Sequence, residues 1–120
     1  MIEKNKKKWD EWELIAINYL KDKWHSIIDT NFKFSRFWEI DIISKYDDLT
    51  IFIEVKYRTN KIFWEAEESI TKNKLFKIKK SIEYYCLTNN ISLEKIRFDV
   101  ITIFKWKETY KLKWYKNIEI

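Results

Sequence analysis

Apolar positions recur with two different periods along the chain, which predicts two helices and a set of strands. The helical period, with apolar residues three and four positions apart, spans 9–23 and 67–89. Strand-like runs rich in Ile, Phe, Tyr and Val occupy 26–34, 37–45, 49–58 and 96–104, and 105–120 alternates weakly, as an added edge strand would. Residues 59–65 are predicted to be a loop. The order α-β-β-β-α-β predicts an α/β fold with a mixed sheet flanked by helices.

The second and third predicted strands are apolar on both faces. Ile43 and Phe52 lie on one predicted face, and Ile40 and Ile42 lie on the other. A strand that is apolar on both faces must be covered on both faces. We therefore expect one helix on each side of the sheet.

A polar pair at 47–48 separates these two strands and predicts a β-hairpin. With a two-residue loop, Tyr46 pairs with Leu49, and the same register places Asp41 opposite Glu54. Two carboxylates opposed at about 5 Å repel each other unless positive charge lies between them. A divalent cation would supply that charge.

The same register places Glu39 opposite Lys56, and all four charged side chains are predicted to project from one face. Glu13 lies one turn before Ala16 on the apolar stripe of the first helix, where a carboxylate is unusual. Either it points into the site as a third acid, or it is a solvated first-turn carboxylate favoured by the helix dipole. His25, the single histidine, is interpreted as a satisfied surface group.

Length, charge and cysteine content narrow the class of protein. We expect one domain over 1–120, with a basic lead-in at 1–8 and a core at about 9–104. A net charge of +5 favours a polyanionic partner, although a lysine-rich solvated surface explains it equally well. The single Cys86 excludes an internal disulfide and fits a reducing compartment. Without a signal peptide or a membrane-spanning run, we expect a cytoplasmic protein.

The composition has one abnormal feature, which is seven tryptophans and no glycine. A chain of this length ordinarily carries about eight glycines. Trp24 follows the first predicted helix at the place where a left-handed glycine usually stands. We hypothesise that these tryptophans are UGA codons that the host reads as glycine; the alternative is a natural protein that is rich in tryptophan.

The spacing of the central acids matches a known nuclease pattern. An aspartate, twelve residues, then Glu-x-Lys on an adjacent strand is the arrangement of PD-(D/E)xK nucleases, and here it is Asp41, Glu54 and Lys56. Carboxylates hold Mg²⁺ through hard oxygen ligands, and a metal ion assists phosphodiester cleavage by generating hydroxide. The lysine can orient the attacking water or stabilise developing negative charge.

The chain also resembles the YraN-type (UPF0102) small endonuclease-like proteins of bacteria over about residues 9–104. The similar motifs are Trp9 to Ala16, Asn31-Phe32, Trp38-Glu39-Ile40-Asp41, Phe52 to Arg58, Lys74 and Arg97-Phe98-Asp99-Val100. Five tryptophans occupy positions where that family has glycine, namely Trp9, Trp12, Trp24, Trp38 and Trp64. This coincidence agrees with the recoding hypothesis.

The resemblance implies a restriction-endonuclease-like fold, akin also to archaeal Holliday-junction resolvases. On this basis we expect a metal-dependent endonuclease that uses Mg²⁺ or Mn²⁺ and acts on DNA, with branched or damaged structures as candidate substrates; the resemblance itself does not fix the substrate, and RNA stays open. The expected roles are catalysis by Glu13, Asp41, Glu54 and Lys56, metal binding by Asp41, Glu54 and Val55, and nucleic-acid binding by Arg58, Lys74 and Lys77.

Two other classes of function remain open at the level of sequence. The first is a non-catalytic nucleic-acid-binding or assembly module that has kept the nuclease fold. The second is a protein-interaction domain in which the acids only form salt bridges with Lys56. A homodimer is a further open alternative.

Overall fold

The computed structural model describes residues 10–34, 39–58 and 71–120, and its elements follow the predicted order. Helix α1 (Glu11–Asp22) precedes three strands, β1 (Ser26–Phe32), β2 (Ile40–Tyr46) and β3 (Leu49–Arg58). Helix α2 (Lys72–Asn89) and a 3-10 turn (Leu93–Lys95) then lead to β4 (Ile96–Trp106) and β5 (Thr109–Tyr115). The predicted loop at 59–65 and the predicted helix start at 67–70 lie outside the described residues.

The five strands form one mixed sheet in the order β1-β2-β3-β4-β5. Only β3 and β4 are parallel, and α2 connects them; the other neighbouring pairs are antiparallel. The expected edge strand in 105–120 is confirmed as β5. The α/β fold class is confirmed as well, and the arrangement is compatible with a restriction-endonuclease-like core.

Each face of the sheet packs against one helix, as the doubly apolar strands predict. On one face, α1 buries Ala16, Ile17 and Leu20 against strand residues of β2, β3 and β4. On the other face, α2 buries Ile78 and Ile82 against Ile43, Phe52 and Phe98. Burial of a large aliphatic side chain contributes about 1.5–3 kcal/mol, so these two layers account for much of the folding free energy.

Helix α2 begins and ends at residues whose chemistry explains its limits. The Thr71 side chain accepts a hydrogen bond from the Lys74 backbone N–H at 3.1 Å, which caps the first turn. Asn90 at the other end has a left-handed backbone with φ of 54°. Asparagine tolerates that conformation better than most residues. Lys74 is therefore held in a defined position at the start of the helix.

Trp24 ends helix α1 in the conformation that the sequence pattern assigns to glycine. Its φ is 71°, and its N–H donates to the Lys21 carbonyl at 3.0 Å. The next N–H, that of His25, donates back to the Leu20 carbonyl at 3.0 Å. This pair of bonds is the Schellman motif, whose left-handed residue is usually glycine. The Trp24 side chain is 85% exposed and so gains little packing in return.

The prediction of a surface position for His25 is wrong. The ring is buried, its Nδ1 lies 3.0 Å from the Ser44 hydroxyl oxygen, and it stacks on Tyr46 with ring centroids 5.0 Å apart. Burial lowers the pKa of His25. The partners come from β2, nineteen residues away, so local sequence gave no indication of the burial.

Across the described ranges, no helix has the length and hydrophobicity needed to cross a membrane.

Candidate functional site

The predicted hairpin register is confirmed by the pairing of β2 with β3. Tyr46 pairs with Leu49, and the register continues to Ile42 opposite Ile53. Asp47 opens the two-residue loop with φ of 60°, a conformation that aspartate tolerates. One step further along the same register stand Asp41 and Glu54. The sequence therefore located both acids at the same end of the strand pair.

Strand β2 rotates at Asp41, and this feature departs from the prediction. Ile40 packs in the cluster under α2, whereas Ile42 packs in the cluster under α1. Two residues separated by one position share a face in a regular strand, so the alternation breaks between them. The expectation that Ile40 and Ile42 lie on one face is therefore wrong. The Asp41 Oδ2 accepts the Val55 backbone N–H at 2.8 Å, a bond that would ordinarily go to a carbonyl of the neighbouring strand.

The Asp41 carboxyl group is held in an environment that disfavours its charge. Burial first, and then the neighbouring Glu54 carboxylate, raise the pKa of Asp41 to about 8, and the Val55 N–H only partly offsets the rise. Glu54 itself is 5% exposed. Two neighbouring acids in such surroundings are costly in the folded protein, because their charges repel each other and burial removes water.

Lys56 is the basic residue that the Glu-x-Lys spacing places beside this acid pair. Its Nζ lies 3.8 Å from Glu54 Oε2, as expected for residues two positions apart on one strand face. Burial first, and then the Lys74 amine beside it, lower the pKa of Lys56 to about 8. The structure therefore brings Lys74, from the capped first turn of α2, next to Lys56.

Glu13 and Glu39 lie near the pair without joining it. The negative charges of both raise the pKa of Asp41. Glu13 is half-buried, its Oε2 accepts the Asn31 Nδ2 at 3.3 Å, and burial raises its pKa. In the part of the chain that the structure describes, no three His, Cys, Asp or Glu side chains converge as metal ligands. Glu13 therefore stands at the periphery of the Asp41–Glu54 pair.

The remaining predicted residues flank the same end of the sheet. The Arg58 side chain donates to the Tyr57 carbonyl at 3.0 Å, and its charge helps to lower the pKa of Lys56. Lys77 is half-buried and follows Lys74 by one turn of α2. Arg58 and Lys74 thus act on Lys56, and Lys77 lies one turn further along α2.

The oxygen atoms at this site suit a hard divalent cation. Asp41 and Glu54 supply carboxylate oxygens, and Mg²⁺ is commonly bound through one or two carboxylates with waters in the other positions. In an antiparallel strand pair the N–H and C=O of one residue point to the same side. Because the Val55 N–H faces Asp41, the Val55 carbonyl is directed to the same space and is available as a further oxygen ligand.

A second polar cluster surrounds Asp99, which pairs with Ile53 in the row next to that of Glu54. Sequence reasoning did not identify this cluster. Asp99 is fully buried and accepts two hydrogen bonds from Arg97, one from Trp114 Nε1 and one from the Asn117 N–H, all at 2.8–2.9 Å. A neighbouring pocket of about 560 Å³ is lined by His25, Arg97 and Trp114 among others. The only sequence signal was the Arg-x-Asp spacing at the start of a predicted strand.

Comparison with known proteins places the chain in a family. The profile described as "Uncharacterised protein family UPF0102" matches residues 12–103. The chain belongs to this family. A UPF0102 protein of Clostridioides difficile strain 630 is 42% identical over 100 residues, covering 83% of this chain and 87% of the relative. A UPF0102 protein of Alkaliphilus oremlandii is 35% identical over 115 residues, covering 94% and 97%.

A UPF0102 protein of Flavobacterium psychrophilum is 30% identical over 105 residues, covering 88% of this chain and 87% of the relative. The resemblance to the YraN-type (UPF0102) family is therefore confirmed over most of the chain. The names of these UPF0102 proteins assign no reaction, so function must be argued from the site.

Proposed function

We propose that this UPF0102 protein is a metal-dependent endonuclease that cleaves phosphodiester bonds in DNA, with branched or damaged DNA as its preferred substrate. One observation carries the proposal. The half-buried Asp41 lies beside the buried Glu54, with Lys56 Nζ 3.8 Å from Glu54. A stable fold gains nothing from two adjacent acids in such surroundings, whereas a cation site requires them.

Each side chain has a separate role in the proposed reaction. Asp41, Glu54 and the Val55 carbonyl would hold Mg²⁺ or Mn²⁺. When bound, the cation supplies charge neutralisation at the phosphate and lowers the pKa of a water molecule. Lys56, whose pKa is lowered to about 8, can accept a proton from the attacking water or donate a hydrogen bond to it. Glu13 would act from the periphery by orienting water.

The basic residues around the lysine side would bind the DNA backbone. Arg58 on β3 and Lys74 at the start of α2 both lower the pKa of Lys56, and Lys77 follows Lys74 by one turn of α2. Contacts of lysine and arginine with phosphates fix the position of DNA without reading its sequence. We therefore expect binding that weakens steeply with salt and preference set by the shape of the substrate.

Matched substitutions at the acid pair test the proposal. Labelled linear, flapped and four-way DNA are incubated with the protein in Mg²⁺, Mn²⁺ or EDTA. We expect cleavage only with metal, and a loss of at least about 10³-fold in Asp41→Asn and in Glu54→Gln, because each removes a cation ligand. The exposed Asp48→Asn serves as the control, with unchanged cleavage. Full activity in both acid variants would remove this mechanism.

A second candidate function has one observation in its favour. Among the described residues, a third acid does not converge with Asp41 and Glu54. A non-catalytic nucleic-acid-binding module that kept the fold is consistent with an incomplete ligand set. It predicts DNA binding that is equal in Mg²⁺ and EDTA and unchanged in Asp41→Asn, without cleavage of any substrate.

A further inference from the structure

A pocket of about 560 Å³ lies beside the end of helix α1 and the start of β4. This His25 pocket is lined by His25, Tyr46, Arg97, Trp114 and Lys116, among others. Arg97 alternates along β4 with Phe98, which packs under α2, so the Arg97 side chain lies on the α1 face of the sheet. The volume falls within the range of about 300–1,000 Å³ that is typical of small-molecule sites.

The His25 pocket is separate from the proposed cation site. Glu54 alternates along β3 with Ile53 and Val55, which pack under α1, so the Glu54 side chain lies on the α2 face. Arg97 pairs with Ile51, three residues before Glu54, which is about 10 Å along the strand. The pocket is therefore a second place at which a molecule can bind, beyond the proposed nuclease reaction.

Arg97 presents an oriented positive group to the pocket. Its Nε and Nη2 both donate to the buried Asp99 carboxylate at 2.9 Å, and the Arg97 side chain is 19% exposed. A guanidinium carries five N–H groups, and the contact with Asp99 uses two of them. The remaining N–H groups are suited to a phosphate, whose geometry the guanidinium matches. Arg97 is thus held in place before any ligand binds.

Two lysines add positive charge to the same lining, which includes Lys23 and Lys116. Lys116 is exposed, and its Nζ lies 4.4 Å from the centroid of the Trp114 ring. The lining also contains one acid, Asp22, which is directly followed by Lys23. The positive groups of the lining therefore outnumber the negative one, which favours an anionic ligand.

The His25 ring lies within this positive field. Its Nδ1 is 3.0 Å from the Ser44 hydroxyl oxygen, which fixes the ring in the wall of the pocket. Burial first, and then the charge of Arg97, lower the pKa of His25; Lys116 lowers it further, and Asp99 opposes them. An anion that enters the pocket therefore changes the titration of His25.

Aromatic rings form the other walls of the His25 pocket. Tyr46 stacks on His25 with ring centroids 5.0 Å apart and is 45% exposed, so part of its ring is open to a ligand. Tyr19 and Trp114 meet edge to face with centroids 5.8 Å apart. Positive groups beside aromatic rings are the combination with which proteins bind unpaired nucleotides, because the rings pack on the base and the cations bind the phosphate.

We propose that the His25 pocket binds a nucleotide, with its base packed against Tyr46 and its phosphate bound by Arg97 and Lys116. Tyr46 stands on β2 and Arg97 on β4, and these strands are two spacings or about 10 Å apart, a separation that the sugar bridges. Inorganic phosphate would leave the aromatic wall uncovered. The nucleotide is either a free molecule or an unpaired nucleotide of a nucleic-acid strand, since both present the same base and phosphate.

Proton NMR of the His25 ring tests this site, because His25 is the single histidine of the chain. The full chain is titrated in EDTA with deoxyadenosine 5′-monophosphate (dAMP), deoxyadenosine or inorganic phosphate. EDTA removes any nucleotide binding that depends on a cation at Asp41 and Glu54, so the result is independent of the nuclease proposal.

We expect dAMP to shift the His25 signal in a saturable manner and to raise the pKa of His25, because a phosphate near the ring stabilises its charged form. Deoxyadenosine and inorganic phosphate should each bind at least about tenfold more weakly, because each makes only part of the contacts. Phosphate that binds as tightly as dAMP would overturn the proposal, and so would a His25 signal that dAMP leaves unchanged.

Substitutions separate the phosphate contact from the base contact. Lys116→Gln should weaken dAMP binding about fivefold and leave deoxyadenosine binding unchanged, whereas Tyr46→Leu should weaken both about fivefold. Lys45→Gln is the control of equal charge, because Lys45 is exposed and lies on the other face of β2 from Tyr46. Thermal melts confirm that each variant is folded. Equal losses in Lys45→Gln and Lys116→Gln would show that binding follows net charge, which would overturn the site.

Trp24 also lines the pocket, and its indole is 85% exposed. The proposed contacts do not include this residue, at which the composition suggests glycine. Trp24→Gly should therefore keep dAMP affinity within about twofold, the range of ordinary surface changes. Loss of dAMP binding in this variant would assign the base contact to Trp24 and overturn the assignment to Tyr46.

A single-stranded tetranucleotide distinguishes the two sources of the nucleotide. If it binds at least about tenfold more tightly than dAMP, with the same response of His25, the pocket holds one nucleotide of a longer strand, because further phosphates add contacts. If its affinity is equal to or weaker than that of dAMP, the pocket holds a free nucleotide.

Discussion

Asp99 and Asp41 stand in neighbouring rows of the sheet, and the protein treats their carboxylates in opposite ways. Asp99 is surrounded by donors, with two hydrogen bonds from Arg97 and one each from Trp114 and Asn117. Asp41 accepts the Val55 N–H and otherwise faces the charges of other acids, above all Glu54. Hydrogen bonds from the protein satisfy Asp99, as expected for a carboxylate with a structural role. Asp41 accepts few hydrogen bonds and lies beside another acid, as expected for a carboxylate that binds a cation from solution.

The largest effect expected on stability is at Asp99, the carboxylate whose hydrogen bonds are satisfied. Asp99→Asn should lower the free energy of unfolding by about 3 kcal/mol, because it leaves the Arg97 guanidinium without its bidentate partner in a mostly buried position. Urea denaturation measures the change. Mn²⁺ affinity should remain that of the parent protein. A stability loss below about 0.5 kcal/mol, the range of ordinary surface changes, would mean that the Asp99 hydrogen bonds do not stabilise the fold.

At the acid pair, a substitution is expected to raise the free energy of unfolding. Because the pKa of Asp41 is raised to about 8, its contribution to stability is fully present below pH 4 and is lost as pH rises through about 8. Asp41→Asn carries no charge at any pH, so at pH 9 in EDTA it should be more stable than the parent by about 2 kcal/mol. Saturating Mg²⁺ should reduce that difference. A variant that is less stable than the parent under these conditions would show that Asp41 is structural.

A smaller effect is expected in the pH dependence of cation binding. Below pH 8 the cation must displace the proton of Asp41, so Mn²⁺ affinity should rise by up to about tenfold per pH unit and level off above 8. The neutral fraction of Lys56, whose pKa is lowered to about 8, grows over the same interval, so cleavage should rise with it. Affinity titrations between pH 6 and 9 measure the slope. A flat profile would exclude Asp41 as the ligand that loses the proton.

Most of the fold could be predicted from the sequence, because local sequence signals determine it. The polar pair at 47–48 fixed the hairpin register, and that register alone brought Asp41 to the end of the strand pair where Glu54 lies. Doubly apolar strands predicted the two helical layers. The glycine-like position of Trp24 was predicted from the helix end, and its φ of 71° agrees with that prediction.

The features that sequence missed depend on contacts between distant elements. The rotation of β2 at Asp41 breaks the regular alternation on which strand prediction depends. The burial of His25 comes from Ser44 and Tyr46 on another strand. The contact of Asn31 with Glu13 joins β1 to α1, and no periodic signal in the sequence indicates it.

The most direct test of the central claim is anomalous scattering from Mn²⁺ in a crystal of the full chain. The account predicts a peak within coordination distance of Asp41, Glu54 and the Val55 carbonyl, and no peak at Asp99. In Asp41→Asn crystals the peak should be lost. A crystal that holds Mn²⁺ elsewhere, or holds none while Asp41 and Glu54 remain accessible, would contradict the claim that this end of the sheet is a cation site.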